Sequence, residues 1–290
     1  MEQRHRPLIK KDGSFNIKKL GLSPSWFKDF YYHALKMSWP LFILFLLAAY
    51  FVLNLLFAVM YYACGPDALQ GTGHQFWQTF LFSVHTSSTI GYGNILPMSL
   101  AANLIVVLQA SISLLFVALI TGLIFSKFSK PTARVLFSNQ LLLHTLNNKK
   151  VLLFRVANAR ANQIVDASVN VVMLRDEHTA EGQYYKKMSD LKLERSTSPV
   201  FALSWTVMHT IDATSPLYGL SQADFEKQRI DFVISFTGID DTFAQLIHAK
   251  KSYLFDDVVW DRYFEDVLEI QANGTIHVDF SKFHSLKVGE

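Results

Sequence analysis

No aspartate, glutamate, lysine or arginine occurs between positions 68 and 126, and none occurs between 37 and 66. Asp67 therefore stands alone as a formal charge in the whole stretch from 37 to 126. About 20 apolar residues suffice to cross a bilayer core, so this stretch accommodates two spans, expected at 38–62 and 100–128. Trp39 and the pair Tyr61-Tyr62 sit at the ends of the first, as interfacial aromatics do. Pro40 is acceptable in a first helical turn. Between the spans, residues 65–74 are Gly-rich and polar and suit an outer loop. Residues 75–87, with Phe76, Trp77, Phe80 and Phe82, suit a helix too short to cross.

Charge placement sets the topology. Residues 1–36 carry Arg4, Arg6, Lys10, Lys11, Lys18, Lys19, Lys28 and Lys36. Beyond the second span come Lys127, Lys130, Arg134, Lys149, Lys150, Arg155 and Arg160, with no acid before position 166. The loop between the spans has neither lysine nor arginine, so the positive-inside rule puts both termini in the cytoplasm. The net charge of +3 is small, and no nucleic-acid partner is expected from it. The single cysteine, Cys64, excludes a disulfide within the chain. The first apolar run is too long for a cleavable signal.

Charged residues make up 18% of the chain, below the ~25% usual for soluble domains, and the apolar excess lies before residue 127. A membrane part is thus joined to a soluble part. The expected division is 1–36, a cytoplasmic tail with an interfacial helix at 25–35 capped by Ser25; 37–130, the membrane domain; and 131–290, the soluble domain. In the last, period-two alternation marks strands at 151–157, 164–174, 200–207, 232–237, 243–249, 267–270 and 275–278. Asn273-Gly274 marks a hairpin turn between the last two strands. One short helix is expected at 222–228. Many short strands over this length suggest an all-β sandwich.

At the end of the short helix the chain reads S-S-T-I-G-Y-G, from Ser87 to Gly93. Glycines alternating with large residues disfavour a helix and weaken a strand. They suit a tight extended loop whose carbonyls face one axis. The T-V-G-Y-G loop of potassium channels is the established example of such a loop, with rings of carbonyls replacing the water shell of the ion. The stretch at Thr89, Ile90, Gly91, Tyr92 and Gly93 resembles it, with Ile90 for Val. The alternative is an ordinary Gly-rich turn. The short helix would be re-entrant, its carbonyl end favouring a cation at the pore centre.

Nearly the whole chain resembles the inward-rectifier potassium channels, and its compact form suggests their prokaryotic, KirBac branch. Besides the loop, the resemblance is carried by K-x-x-K-P at Lys127, V-L-F-S at Val135, R-V-A-N at Arg155, S-W-T-V-M-H at Ser204 and I-D-x-x-S-P-L-Y at Ile211. It implies a membrane α-helical pore domain of two transmembrane helices plus a pore helix, followed by an immunoglobulin-like cytoplasmic sandwich, assembled as a homotetramer. It implies potassium ions at Thr89, Ile90, Gly91 and Tyr92, no organic cofactor, and a bacterial inner-membrane location. Residues 25–35 would be the slide helix. Phe125 would close the helix bundle as a hydrophobic constriction. Gly122 either bends the helix or permits close packing.

The family resemblance makes Lys36, Lys127, Lys130 and Arg134 a site for anionic lipid or phosphoinositide, the bland alternative being topology signals alone. Asp166 and Asp241 align with positions lining the cytoplasmic pore, where polyamine or Mg2+ blockers pass; otherwise they are solvated acids. Three departures stand out. His85 replaces an acid common in relatives four residues before the filter threonine; it either hydrogen-bonds behind the filter, titrates (an unperturbed imidazole has pKa ~6.5) or is simply satisfied. Cys64 cannot supply the outer cysteine pair of eukaryotic members. Val117 replaces an aspartate of strongly rectifying relatives. Ser204, His209 and Asp212 invite a hydrolase reading, but G-x-S-x-G, Walker A and metal-spaced histidines are missing, and no enzyme activity is expected. The reading is a potassium-selective channel gated from the cytoplasmic side. The alternatives are a non-selective cation channel, or a membrane-anchored ligand sensor with a vestigial pore.

Overall fold

The computed structural model describes Lys10, Ile17, Gly21, residues 29–270, Gly274 and residues 276–288. It divides into two compact units, one of Gly21–Lys130 and one of Met1–Leu20 with Pro131–Glu290.

The first unit contains α1 (Phe30–Lys36), α2 (Trp39–Ala63), the two-residue strand β1 (Leu69–Gln70), α3 (Phe76–Ser87), its partner β2 (Leu96–Pro97) and α4 (Leu100–Phe128). α2 begins after Ser38 with Pro40 in its first turn, where the missing N–H would have had no partner. α4 begins at Ser99, whose hydroxyl accepts the Ala102 N–H at 3.1 Å. β1 and β2 pair antiparallel and tie the chain before α3 to the chain after it. Gly71 is obligatory there: its φ is +89°, and a Cβ would lie 2.4 Å from the Asn94 carbonyl oxygen.

α2 and α4 are long and apolar enough to cross a membrane. Their large apolar side chains point outward, Leu44 and Leu47 on α2 and Leu114 and Leu115 on α4 among them. The face that α2 buries is Asn54, Phe57, Ala58 and Tyr61, spaced i, i+3, i+4, i+7. Phe57 and Tyr61 pack with Phe82 of α3 and Ala102 of α4, the Tyr61 and Phe82 rings meeting edge to face at 5.1 Å. Of the interfacial helix expected at 25–35, the part from Phe30 is helical, and positions 25–28 lie outside the described residues.

The second unit is β-rich. Its strands are β3 (Val135–Phe137), β4 (Leu141–Leu146), β5 (Lys149–Asn158), β6 (Ile164–His178), β7 (Tyr184–Asp190), β8 (Thr197–Phe201), β9 (Ser204–Thr210), β10 (Asp231–Asp240), β11 (Gln245–Tyr253), β12 (Val258–Trp260), β13 (Arg262–Phe264), β14 (Leu268–Ile270), β15 (Ile276–Val278) and β16 (Leu286–Val288). One sheet runs β11-β10-β6-β7, with β8 also on β6; the other runs β12-β4-β5-β3, with β9 on β5. Phe232, Ile234 and Phe236 alternate along β10 opposite Met173, Val171 and Val169 of β6. They meet Leu152, Phe154 and Val156 of β5 in one buried core, so the two sheets face each other.

The strand expected at 200–207 is in fact two. β8 ends at Phe201 on the first sheet and β9 starts at Ser204 on the second, the chain crossing between them at Ala202 and exposed Leu203. A bulge interrupts the β6–β10 ladder. Thr237 opposes Ser168 while Ile239 opposes Val165, so β6 holds one extra residue. Asp166 lies in it with φ +49°. Gly238 faces the bulge, and a Cβ there would meet Ile164 Cγ2 at 2.4 Å. The helix expected at 222–228 is α5 (Gln222–Lys227), opened by Ser221, whose N–H donates to the Asp224 carboxylate at 2.9 Å.

Candidate functional site

α3 ends in a Schellman motif. The Ile90 N–H donates to the His85 carbonyl at 2.9 Å and the Thr89 N–H to the Thr86 carbonyl at 3.1 Å. The residue this motif needs in the left-handed region is usually glycine; here it is Thr89, φ +56°. A β-branched residue at such an angle is an outlier that persists only when its surroundings over-determine it. Gly91 (φ +62°) and Gly93 (φ +77°) repeat the left-handed conformation, while Ile90 and Tyr92 do not. Alternating handedness gathers successive N–H groups on one edge of a chain, leaving the carbonyls to the other.

Two side chains of the loop are exposed, Ile90 at 46% and Tyr92 at 70%. On the inner side the His85 ring stands edge-on to Tyr92, centroids 5.0 Å apart. Both rings line a cavity of about 240 Å3, with Phe82, Thr86, Thr89 and Asn94 among its other walls.

Behind α3 lies a buried polar cluster that the sequence did not announce. Asn54 Oδ1 accepts from Ser83 Oγ (3.0 Å) and Ser87 Oγ (2.7 Å). The two hydrogens of Gln109 Nε2 are shared among the Ser83 carbonyl (2.8 Å), Ser83 Oγ (2.9 Å) and Ser87 Oγ (2.7 Å). The Tyr61 hydroxyl donates to Gln109 Oε1 at 2.7 Å, and Ser113 Oγ donates to Ser87 Oγ at 3.1 Å. Asn54, Ser83 and Gln109 have no solvent-accessible surface. Gln109 and Ser113 were legible only as polar members of a span, and Asn54 and Ser83 not at all. The usable signal was spacing: Ser83 and Ser87, like Gln109 and Ser113, are one helical turn apart.

On α4, Phe125 is 71% exposed, and Val117 is exposed with its carbonyl accepting the Thr121 hydroxyl. Nothing lies within 4 Å of a Cβ placed on Gly122, so packing inside this chain does not require the glycine. Lys127 departs from its companions. Its Nζ donates to the carbonyls of Leu35 (3.2 Å) and Met37 (2.6 Å), over the rings of Trp39 and Phe42. Lys36, Lys130 and Arg134 are exposed.

In the second unit Asp166 and Asp241 are both exposed near one end of β6 and β10. Asp241 Oδ1 accepts the Gln163 N–H at 3.2 Å. Ser204, His209 and Asp212 do not assemble. His209 contacts the Lys192 carbonyl and the Ser215 hydroxyl, both at 2.7 Å. Asp212 is bonded by Thr214, which holds its carboxyl below the usual range. Among the described residues no group of three His, Cys, Asp or Glu is placed to hold a metal.

Residues 9–131 match the inward rectifier potassium channel transmembrane domain, and residues 135–288 match the inward rectifier potassium channel C-terminal domain. The chain belongs to the inward rectifier potassium channel family. It is 40% identical to inward rectifier potassium channel Kirbac3.1 of Paramagnetospirillum magnetotacticum, over 96% of this chain and 95% of that one. It is 29% identical to human inward rectifier potassium channel 18, over 95% of this chain and 69% of that one. It is 28% identical to mouse G protein-activated inward rectifier potassium channel 3, over 95% and 76% respectively. These matches bear out the resemblance to the KirBac branch and the architecture of two apolar helices followed by a β-rich domain. They are to ion channels and not to enzymes.

Proposed function

We propose that this family member is a potassium-selective channel, assembled as a homotetramer in the bacterial inner membrane with both termini cytoplasmic. The observation that supports it most is the left-handed conformation repeated at Thr89, Gly91 and Gly93. It suits a ribbon whose Thr89 hydroxyl and Thr89–Tyr92 carbonyls coordinate dehydrated potassium. One chain offers one carbonyl per level, so a ring needs several copies, and the outward-facing Ile90 and Tyr92 are where neighbours would pack. Phe125, four times repeated, forms the gate, with Gly122 as its hinge. Lys36, Lys130 and Arg134 take anionic lipid, with Lys127 acting inside the protein. Asp166 and Asp241 line the route of polyamine or Mg2+.

The test is potassium flux into liposomes. Gly91→Ala meets no clash, so its effect comes from φ alone, at roughly 1–3 kcal/mol per subunit. The unmodified protein should give selective flux, and G91A should lose it. A G91A channel with unchanged potassium selectivity would refute the filter assignment.

A further inference from the structure

We propose that Asn54, Ser87 and Gln109 are positioning residues for ion selection: their hydrogen bonds hold the filter from behind. This rests on the reading of residues 89–93 as the filter.

Backbone carbonyls orient the carboxamides of the cluster. Asn54 Nδ2 donates to the Tyr50 carbonyl of its own helix at 2.9 Å, so Oδ1 must face α3. Ser87 spends its one hydrogen on that oxygen and is left to accept, while Ser83 has both that oxygen and the Asn54 carbonyl at 3.0 Å. Tyr61 donates to Gln109 Oε1, which turns the Gln109 amide toward Ser83 and Ser87. Flipping either carboxamide would set its oxygen against a backbone carbonyl, that of Tyr50 for Asn54 and that of Ser83 for Gln109. A fully satisfied buried network of this kind rigidifies what it holds.

What it holds is the end of α3. Ser87 is the last helical residue, two before Thr89. Ser88 is gripped separately, its Oγ 2.5 Å from the Tyr50 hydroxyl. Both residues leading into the strained Thr89 are thus fixed to α2, and Ser87 to α4 as well. Thr89 needs such over-determination to keep a positive φ. The loop itself has little other anchorage on this side, since a cavity of about 240 Å3 lies beneath it.

The experiment is the sodium-to-potassium permeability ratio, from reversal potentials of reconstituted channels. Ser87→Ala and Asn54→Leu should each raise the ratio roughly tenfold, as loss of three interhelical hydrogen bonds at Ser87 or two at Asn54 implies. Ser87→Thr, which keeps the hydroxyl, should stay near the unmodified value. A residue that only stabilises the fold would lower yield and leave the ratio alone. Tyr61→Phe covers the case in which S87A or N54L does not assemble: it keeps the ring on Phe82, frees the Gln109 amide, and should raise the ratio roughly threefold. Unchanged ratios in S87A and N54L, or in Y61F where those do not assemble, overturn the proposal if G91A has lost selectivity. Selectivity retained in G91A instead overturns the filter reading on which the proposal stands.

Discussion

Lys127→Met should release α1. The helix has seven residues, far below the ~12–15 at which an isolated helix becomes even marginal in water, so its order comes from what it is tied to. The tie is Lys127, 9% exposed, reaching across from α4 to the carbonyls of Leu35 and Met37. Hydrogen bonds from a charged donor contribute ~1.5–3 kcal/mol each, discounted because the freed carbonyls regain water. The ammonium also lies 5.3 Å from the Trp39 ring centroid and 4.9 Å from that of Phe42, worth ~0.5–2 kcal/mol. Methionine keeps the length of the side chain and loses these contacts. A net loss of about 3 kcal/mol corresponds to roughly a hundredfold more frequent opening of α1. Hydrogen exchange of the His33 and Met37 amides, bonded to the Asp29 and His33 carbonyls, reads this directly in nanodiscs. Both should exchange about a hundredfold faster, up to the unprotected rate, and exposed Lys130→Met should leave them unchanged. Equal protection in K127M and the unmodified protein would refute the tie.

Three further outcomes follow from charge. Val117→Asp places four carboxylates in the cavity of a tetramer and should tighten cytoplasmic spermine block by at least roughly tenfold, with steeper voltage dependence, whereas Asp166→Asn should weaken whatever shallow block exists; current–voltage curves with internal spermine decide both. His284 accepts the Asn139 N–H through Nδ1 at 3.2 Å, and burial, with Lys251 nearby, pushes its pKa down. The unfolded chain therefore takes up this proton first, so stability held above pH ~6.5 is lost as pH falls below it; His284→Asn, which keeps an acceptor, should flatten the fall in Tm between about pH 7.5 and 5.5.

The membrane unit was largely legible. Two charge-free runs gave α2 and α4 to within a residue, because hydropathy acts locally. G-Y-G marked the loop for the same reason, since glycine reports a backbone angle. Asn54 was invisible because its partners, Ser83, Ser87 and the Tyr50 carbonyl, lie on different turns and helices. Lys127 reads in the sequence as one of the lipid-facing basic residues, because sequence cannot show that two carbonyls near the end of α1 wait for it. In the β unit, alternation revealed β6 and β10, which bury one face. β7 reads Y-Y-K-K-M-S-D and buries no residue fully, so it left no periodic signal. The split between β8 and β9 was hidden because the apolar run Val200-Phe201-Ala202-Leu203 continues across it, and only the crossing at Ala202 separates the two strands.

The membrane unit wears its grease outside and keeps its polar groups at the centre. A cell therefore judges Asn54 twice, by opposite standards. At insertion, a leucine at that position would enter lipid more readily than asparagine. In the assembled chain, the same leucine would take the acceptor from the Ser87 hydroxyl and loosen the end of α3, while Ser83 would keep the backbone carbonyl of residue 54. The sequence that inserts most easily is not the one that conducts best, and a search for better-expressing variants guided by hydropathy alone would select against the pore.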